Sequence, residues 1–167
     1  ANFLVDDIDA EMVKLKHCVD IAEVLGAPLM RHDVVYKLPE GLDYNGAIEK
    51  IAPLVNEISE YAKEKGIKTC TENHGYIFQA PERVKALIDT VNNPNYGWLC
   101  DMGNFLCADA EPLRSVEIAA PYAFHVHAKD FHFKSGMDVN PGDGWFVTRG
   151  GNYLRGAIIG HGDAKVF

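Results

Sequence analysis

The stretch AFHVHAKDFH, residues 123–132, carries three histidines and a lysine in a segment that otherwise reads as an apolar strand. His125, His127 and Lys129 are spaced by two, so in an extended chain they share one face, and Phe124, Val126 and Ala128 share the other. The expectation is that the apolar face packs on helices while the imidazoles look into a cavity. Three further apolar segments end in the same manner. APLMRHDVV runs into Arg31 and His32, IKTCTENHG into Glu72, Asn73 and His74, and YGWLCDMGN into Asp101 and Asn104. Glu, Asp and His delivered together suit a divalent cation; with no thiolate among them Mn²⁺ or Mg²⁺ comes first, and the imidazole also admits Co²⁺ or Zn²⁺. Such an ion polarises a carbonyl and stabilises charge developing on its oxygen, while a neighbouring carboxylate moves a proton on the adjacent carbon. On this reading one of His125 and His127 is a ligand and the other touches substrate or orients the ligand.

These side chains converge only if their segments lie side by side. Met12, Leu15, Cys18, Val19, Ala22 and Leu25 recur at helical spacing and predict a helix from about Asp9 to Gly26. A longer amphipathic helix is expected from Tyr44 to Lys65, with Ile48, Ile51, Val55, Ile58 and Ala62 as its stripe. PERVKALIDTV starts a third helix on Pro81, and a short fourth lies at Glu111–Ala119. The four polar-ended segments between and after these helices read as strands. Helices alternating with strands predict βα units around a parallel sheet, and the C-terminal strand ends are where such folds build sites. Phe131 to Leu154 reads as long, Gly-rich and irregular, with RGGNYLRG as loop and one more short strand expected within GAIIGHGD.

The 167 residues suffice for one ordinary domain, and 47% hydrophobic with 24% charged residues is a globular composition. A net charge of −8 argues against nucleic acid as a partner. No apolar run is long enough to cross a membrane, and no signal peptide is read before the first helix. Cys18, Cys70, Cys100 and Cys107 form no CxxC pair and read as core thiols, so a cytoplasmic location is expected.

At TENHG, DMGNF and HVHAKD, in that order, the chain resembles the xylose isomerase-like TIM-barrel superfamily, and within it the sugar phosphate isomerase/epimerase family; CVDIAEVLGAPLMR is similar to that family's helix-then-strand pattern. The resemblance implies an α/β fold, a partial (β/α)8 barrel. It implies a cation held by Glu72, Asp101 and His127, with Glu72 also the catalytic base, and a small carbohydrate contacted by Asn104, His125 and Lys129. Arg31 and His74, from their places at strand ends, are read as further substrate contacts, with pairing to a buried acid the alternative for Arg31 and loop capping the alternative for His74 and Asn73. The implied reaction is isomerisation or epimerisation through enediolate proton transfer. A full barrel takes about 250 residues, so residues 1–167 are expected to form one barrel domain without its first strands and its last, which carries the family's second Glu. His161 stands where many relatives have Glu.

Other readings compete. The same site serves a lyase or dehydratase acting on a keto-sugar, keto-glycoside or inositol derivative, a reading favoured by the histidine-rich rim. A non-catalytic sugar-binding or subunit fragment, and a homo-oligomer, are compatible with the sequence. The zinc endonuclease branch of the superfamily is disfavoured by the negative charge. Blander roles are expected for His17 on a helix surface, Trp98 in the core and His161 in a glycine turn. Lys129 and Asp130 could form a simple ion pair. Trp145 and Phe146 are read as covering the pocket or packing on another subunit.

Overall fold

The computed structural model describes residues 1–166. Helix α1, Ile8–Val24, begins where the Asp7 carboxylate accepts the Ala10 amide at 3.0 Å. It buries Met12, Leu15, Val19 and Ala22. Cys18 and Leu25, expected in the same stripe, are exposed; Leu25 lies beyond the last helical turn, as the cap. Strand β1 is only Leu29–Arg31. Helix α2, Tyr44–Glu64, is capped by Asp43 on the Gly46 amide at 2.8 Å and buries Ile48, Ile51, Val55, Ile58 and Ala62 as predicted. Strand β2, Lys68–Glu72, helix α3, Pro81–Val91, and strand β3, Tyr96–Asp101, follow. A single turn, α4, Asn104–Cys107, then α5, Pro112–Ala119, lead into β4, Ala123–His127.

The four strands form one parallel sheet in chain order, β1-β2-β3-β4. With helices following along one face this is half of a (β/α)8 barrel, as expected. The main core lies between that sheet and helices α1 to α3, around Ile51, Val55, Leu87 and Trp98. Each strand carries its last residues to the same rim.

Two expectations are corrected. Phe124, Val126 and Ala128 do not form a buried apolar face: Val126 is 52% exposed and Ala128 is exposed. The register slips between Trp98 and Leu99, so that Trp98 opposes Ala123 but Leu99 opposes His125. That one-residue bulge turns Phe124 to the face that carries Glu72. There its ring lies against Gly97 and 4.5 Å from the Lys68 ammonium. The segment read as irregular is a second sheet, antiparallel, of β5, Asp130–Lys134, β6, Phe146–Val147, and β7, Tyr153–Ala157, in the order β5-β7-β6. The strand expected within GAIIGHGD survives only as the end of β7. In this second sheet Phe146 meets Phe131 edge-on at 5.5 Å.

Candidate metal centre

Glu72 and Asp101 are the last residues of adjacent parallel strands, and His127 is the last of the next. Asp101 is paired directly with His127 across β3 and β4. Strand alternation puts all three on the concave face. One ligand atom from each lies within 4.8 Å of the other two. His127 Nδ1 stands 3.9 Å from Glu72 Oε1 and 3.7 Å from Asp101 Oδ2. Those separations are too long for hydrogen bonds, but ligands about 2.0–2.2 Å from one ion stand roughly 3–4 Å from each other.

The two carboxylates are desolvated and held. Glu72 is 8% exposed and Asp101 fully buried. Asn104 fastens both: its backbone N–H donates to Asp101 Oδ1 at 3.0 Å and its side-chain Nδ2 donates to Glu72 Oε1 at 3.0 Å. Arg31 Nε lies 3.0 Å from Glu72 Oε2, and its Nη2 donates to Asp33 Oδ1 at 2.7 Å. Lys129 Nζ donates to Asn104 Oδ1 at 2.9 Å and sits 3.0 Å from Asp101 Oδ2. That oxygen is buried and, despite the nearby ammonium, has no aligned hydrogen-bond donor among the described residues. A buried carboxylate oxygen left without a donor, facing an imidazole nitrogen and a second carboxylate, fits a hard divalent cation.

The remaining site residues divide. His125 is exposed on the same face as His127, their rings edge to face at 5.5 Å. His74 is exposed in the loop after β2, held by a bridge to Phe78, and is not part of the cluster. Arg31 is committed to two carboxylates. Lys129 pairs with Asp101 rather than with Asp130. The Asp130 carboxylate instead accepts backbone N–H groups of Phe131, Gly160, Gly162 and Ala164 at 2.8–3.0 Å. Burial pushes that carboxyl up, but the four donors together outweigh it and hold it below the usual range. His161 is an exposed turn residue. Burial drives Cys70 up to about 12 and Cys100 and Cys107 up to about 11, so these three stay protonated thiols.

Asn73, which the sequence shows only as one of the polar residues ending the second strand segment, is wholly buried and grips the end of β3. Its Oδ1 accepts the Asp101 N–H at 2.9 Å and the Trp98 indole N–H at 3.1 Å, and its Nδ2 donates to the Asp101 carbonyl at 2.8 Å.

A family model described as xylose isomerase-like TIM barrel matches residues 6–158. No curated protein matches the chain. Among solved structures it is similar to the probable 3-DHS dehydratase AsbF of Bacillus anthracis, at 16% identity and TM-score 0.67 over 79% of this chain and 49% of that one. It is similar to a xylose isomerase-like TIM barrel protein of Mycobacterium smegmatis in complex with magnesium, at 18% identity and TM-score 0.64 over 95% of this chain and 54% of that one. It is similar, too, to a D-allulose 3-epimerase of Methylomonas sp., at 20% identity and TM-score 0.63 over 75% of this chain and 46% of that one. The chain thus spans about half the length of the solved relatives it matches. Among the described residues no helix is long and apolar enough to cross a membrane.

Proposed function

Because the chain belongs to the xylose isomerase-like TIM-barrel family, we propose that it supplies the metal half of an isomerase or epimerase active site that takes a small sugar or sugar phosphate. The observation that carries the reading is the convergence of Glu72, Asp101 and His127 within ion-sharing distance. These three residues would hold the cation, for which Mg²⁺ and Mn²⁺ suit the two carboxylates best. When bound, the ion supplies Lewis acidity to a carbonyl oxygen.

The chain's own residues do the rest. Asn104 and Arg31 orient the Glu72 carboxylate, which takes the proton from the carbon beside the carbonyl and returns it. A proton returned by Glu72 to the neighbouring carbon gives isomerisation; epimerisation takes a proton delivered to the opposite face of the same carbon by a second acid across the sugar from Glu72. His125 and Lys129, exposed on the concave side, contact the sugar hydroxyls. Burial of Asp101 and Glu72 excludes water from behind the cation, which strengthens every charge interaction there.

The likeness to a dehydratase supports a second reading. His125, exposed at the rim with its ring edge to face with that of the ligand His127, would serve as the general acid that protonates a departing hydroxyl.

Two measurements test the proposal. Calorimetric titration with Mn²⁺ gives one ion per chain, abolished by Glu72→Gln and by Asp101→Asn. Incubation with ketoses in D₂O, followed by NMR, gives metal-dependent deuterium entry beside the carbonyl. Loss of water without prior exchange moves the assignment to the dehydratase. A folded chain that takes up no Mn²⁺ refutes the catalytic reading and leaves a non-catalytic one.

A further inference from the structure

We propose that Lys129 is the resident counter-cation of Asp101 and contests that carboxylate with the divalent ion, so that metal entry transfers the ammonium from Asp101 to the substrate side of the pocket. This rests on the metal-site reading above and adds a device that regulates it.

The two oxygens of Asp101 have different surroundings. Oδ1 accepts the Asn104 backbone N–H at 3.0 Å and is already satisfied. Oδ2 faces His127 Nδ1 at 3.7 Å and is the oxygen available to an ion, and it is also the oxygen that the Lys129 ammonium approaches at 3.0 Å. An ammonium and a divalent cation drawn to one oxygen repel each other, and a partly desolvated site screens that repulsion poorly, so the two compete for Asp101 Oδ2. Glu72 is arranged otherwise. Its guanidinium partner, Arg31, lies on Oε2, away from the oxygen that faces His127. Of the two basic residues in contact with the carboxylates, Lys129 alone covers a ligand position.

The backbone at Lys129 is closely packed, whereas its side chain is long and partly exposed. The Lys129 carbonyl oxygen lies only 2.7 Å from where a Cβ on Gly103 would be, so this stretch of chain is packed against the turn after β3. The ammonium itself is on a flexible stem, 41% exposed, with a second acceptor, Asn104 Oδ1, at 2.9 Å. That amide tethers Lys129 after it leaves Asp101 and leaves its remaining N–H donors free for a substrate oxygen. The charge that neutralises a buried aspartate in the empty site then serves the substrate in the loaded one.

The test is Mn²⁺ affinity, measured by calorimetry on the wild-type chain and three variants under one buffer and ionic strength. Lys129→Met and Lys129→Gln remove the charge, and the Gln variant keeps a polar group for Asn104. Lys68→Met removes a lysine from the same sheet face, four residues and about 13 Å below Glu72 along β2, where the ammonium lies over the Phe124 ring and, among the described residues, pairs with no carboxylate. Both Lys129 variants are expected to bind Mn²⁺ about tenfold more tightly than wild type, and Lys68→Met to stay within about twofold. Metal-free thermal unfolding identifies variants that fold. Wild-type uptake with no gain in folded Lys129→Gln or Lys129→Met overturns this proposal and leaves the metal site standing. A gain of the same size in Lys68→Met also overturns it, since the effect is then general electrostatics. No uptake by any of the four overturns the metal site and this proposal together.

Discussion

The Asn73 carboxamide closes a ring of two hydrogen bonds on the backbone of Asp101, accepting its N–H at 2.9 Å and donating to its carbonyl at 2.8 Å. A side chain here takes the place of a strand neighbour, just where β2 has ended and β3 still needs a partner. It also sets the direction in which the Asp101 carboxylate leaves the backbone. Asn73→Ala strands the Asp101 N–H and carbonyl and the Trp98 indole in the core. The expected cost is roughly 2–4 kcal/mol, read from urea unfolding without metal. Mn²⁺ affinity is expected to fall about tenfold in the fraction that still folds, as outer-shell substitutions do. Unchanged affinity would show that Asp101 is aimed by something else.

What could be read in the sequence was the part governed by local rules. Alternating strands and helices, with polar residues at strand ends, bring Glu72, Asp101 and a histidine of the fourth strand to one rim; the choice of His127 over His125 is what the family resemblance implies. What escaped was decided between elements. The bulge that turns Phe124 inward leaves no mark in the alternation of residues 123–128. Asn73 and Asn104 act across 28 and 32 residues of chain, and an asparagine just past a strand end gives no sign of that reach. The second sheet does leave a signal in the sequence. Arg149-Gly150-Gly151-Asn152 sits between two short apolar runs, a hairpin pattern. Gly151 takes φ +88° in that turn, and β6 pairs with β7 across it.

Gly97 tests the bulge. A Cβ there would stand 2.7–2.8 Å from three atoms of the Phe124 ring. Gly97→Ala is expected to destabilise by about 1–3 kcal/mol through overpacking. The Gly97→Ala, Phe124→Leu double variant should recover most of that loss, a coupling seen only if the ring faces Gly97. Additive losses in the cycle would restore the outward placement of Phe124.

Asp109 ties the second sheet to the first. Its carboxylate accepts the Thr148 hydroxyl at 2.6 Å, the Asn152 side-chain amide at 2.8 Å and the Gly150 N–H. Asp109→Ala releases the turn between β6 and β7 from the loop after α4. Amide exchange at Leu154, buried at the centre of that sheet, should quicken by about tenfold or more, while Cys70 and Leu99 in the parallel sheet keep their protection. Uniform acceleration across both sheets would mean they open as one unit.

His32 gives the chain an acid-sensitive point away from the metal ligands. It is buried, its ring stacked on Tyr96 at 5.8 Å and edge-on to Phe3 at 5.9 Å. Nδ1 meets the Asp33 carbonyl at 3.0 Å while Nε2 has no partner among the described residues. Burial lowers its pKa from 6.5 to about 4, outweighing the Asp33 carbonyl, which favours the protonated ring. The native state therefore holds the neutral form, and between these two values the unfolded chain binds a proton that the folded chain does not. Stability from this group is complete above pH 6.5, falls as pH drops towards 4 and levels off below that. The full swing is about 3 kcal/mol at 1.36 kcal/mol per pH unit. Urea unfolding at a series of pH values should give wild type this extra loss relative to His32→Leu, whose curve keeps only the contribution of the carboxylates. Parallel curves for the two proteins would mean that the imidazole reaches water and takes its proton without unfolding.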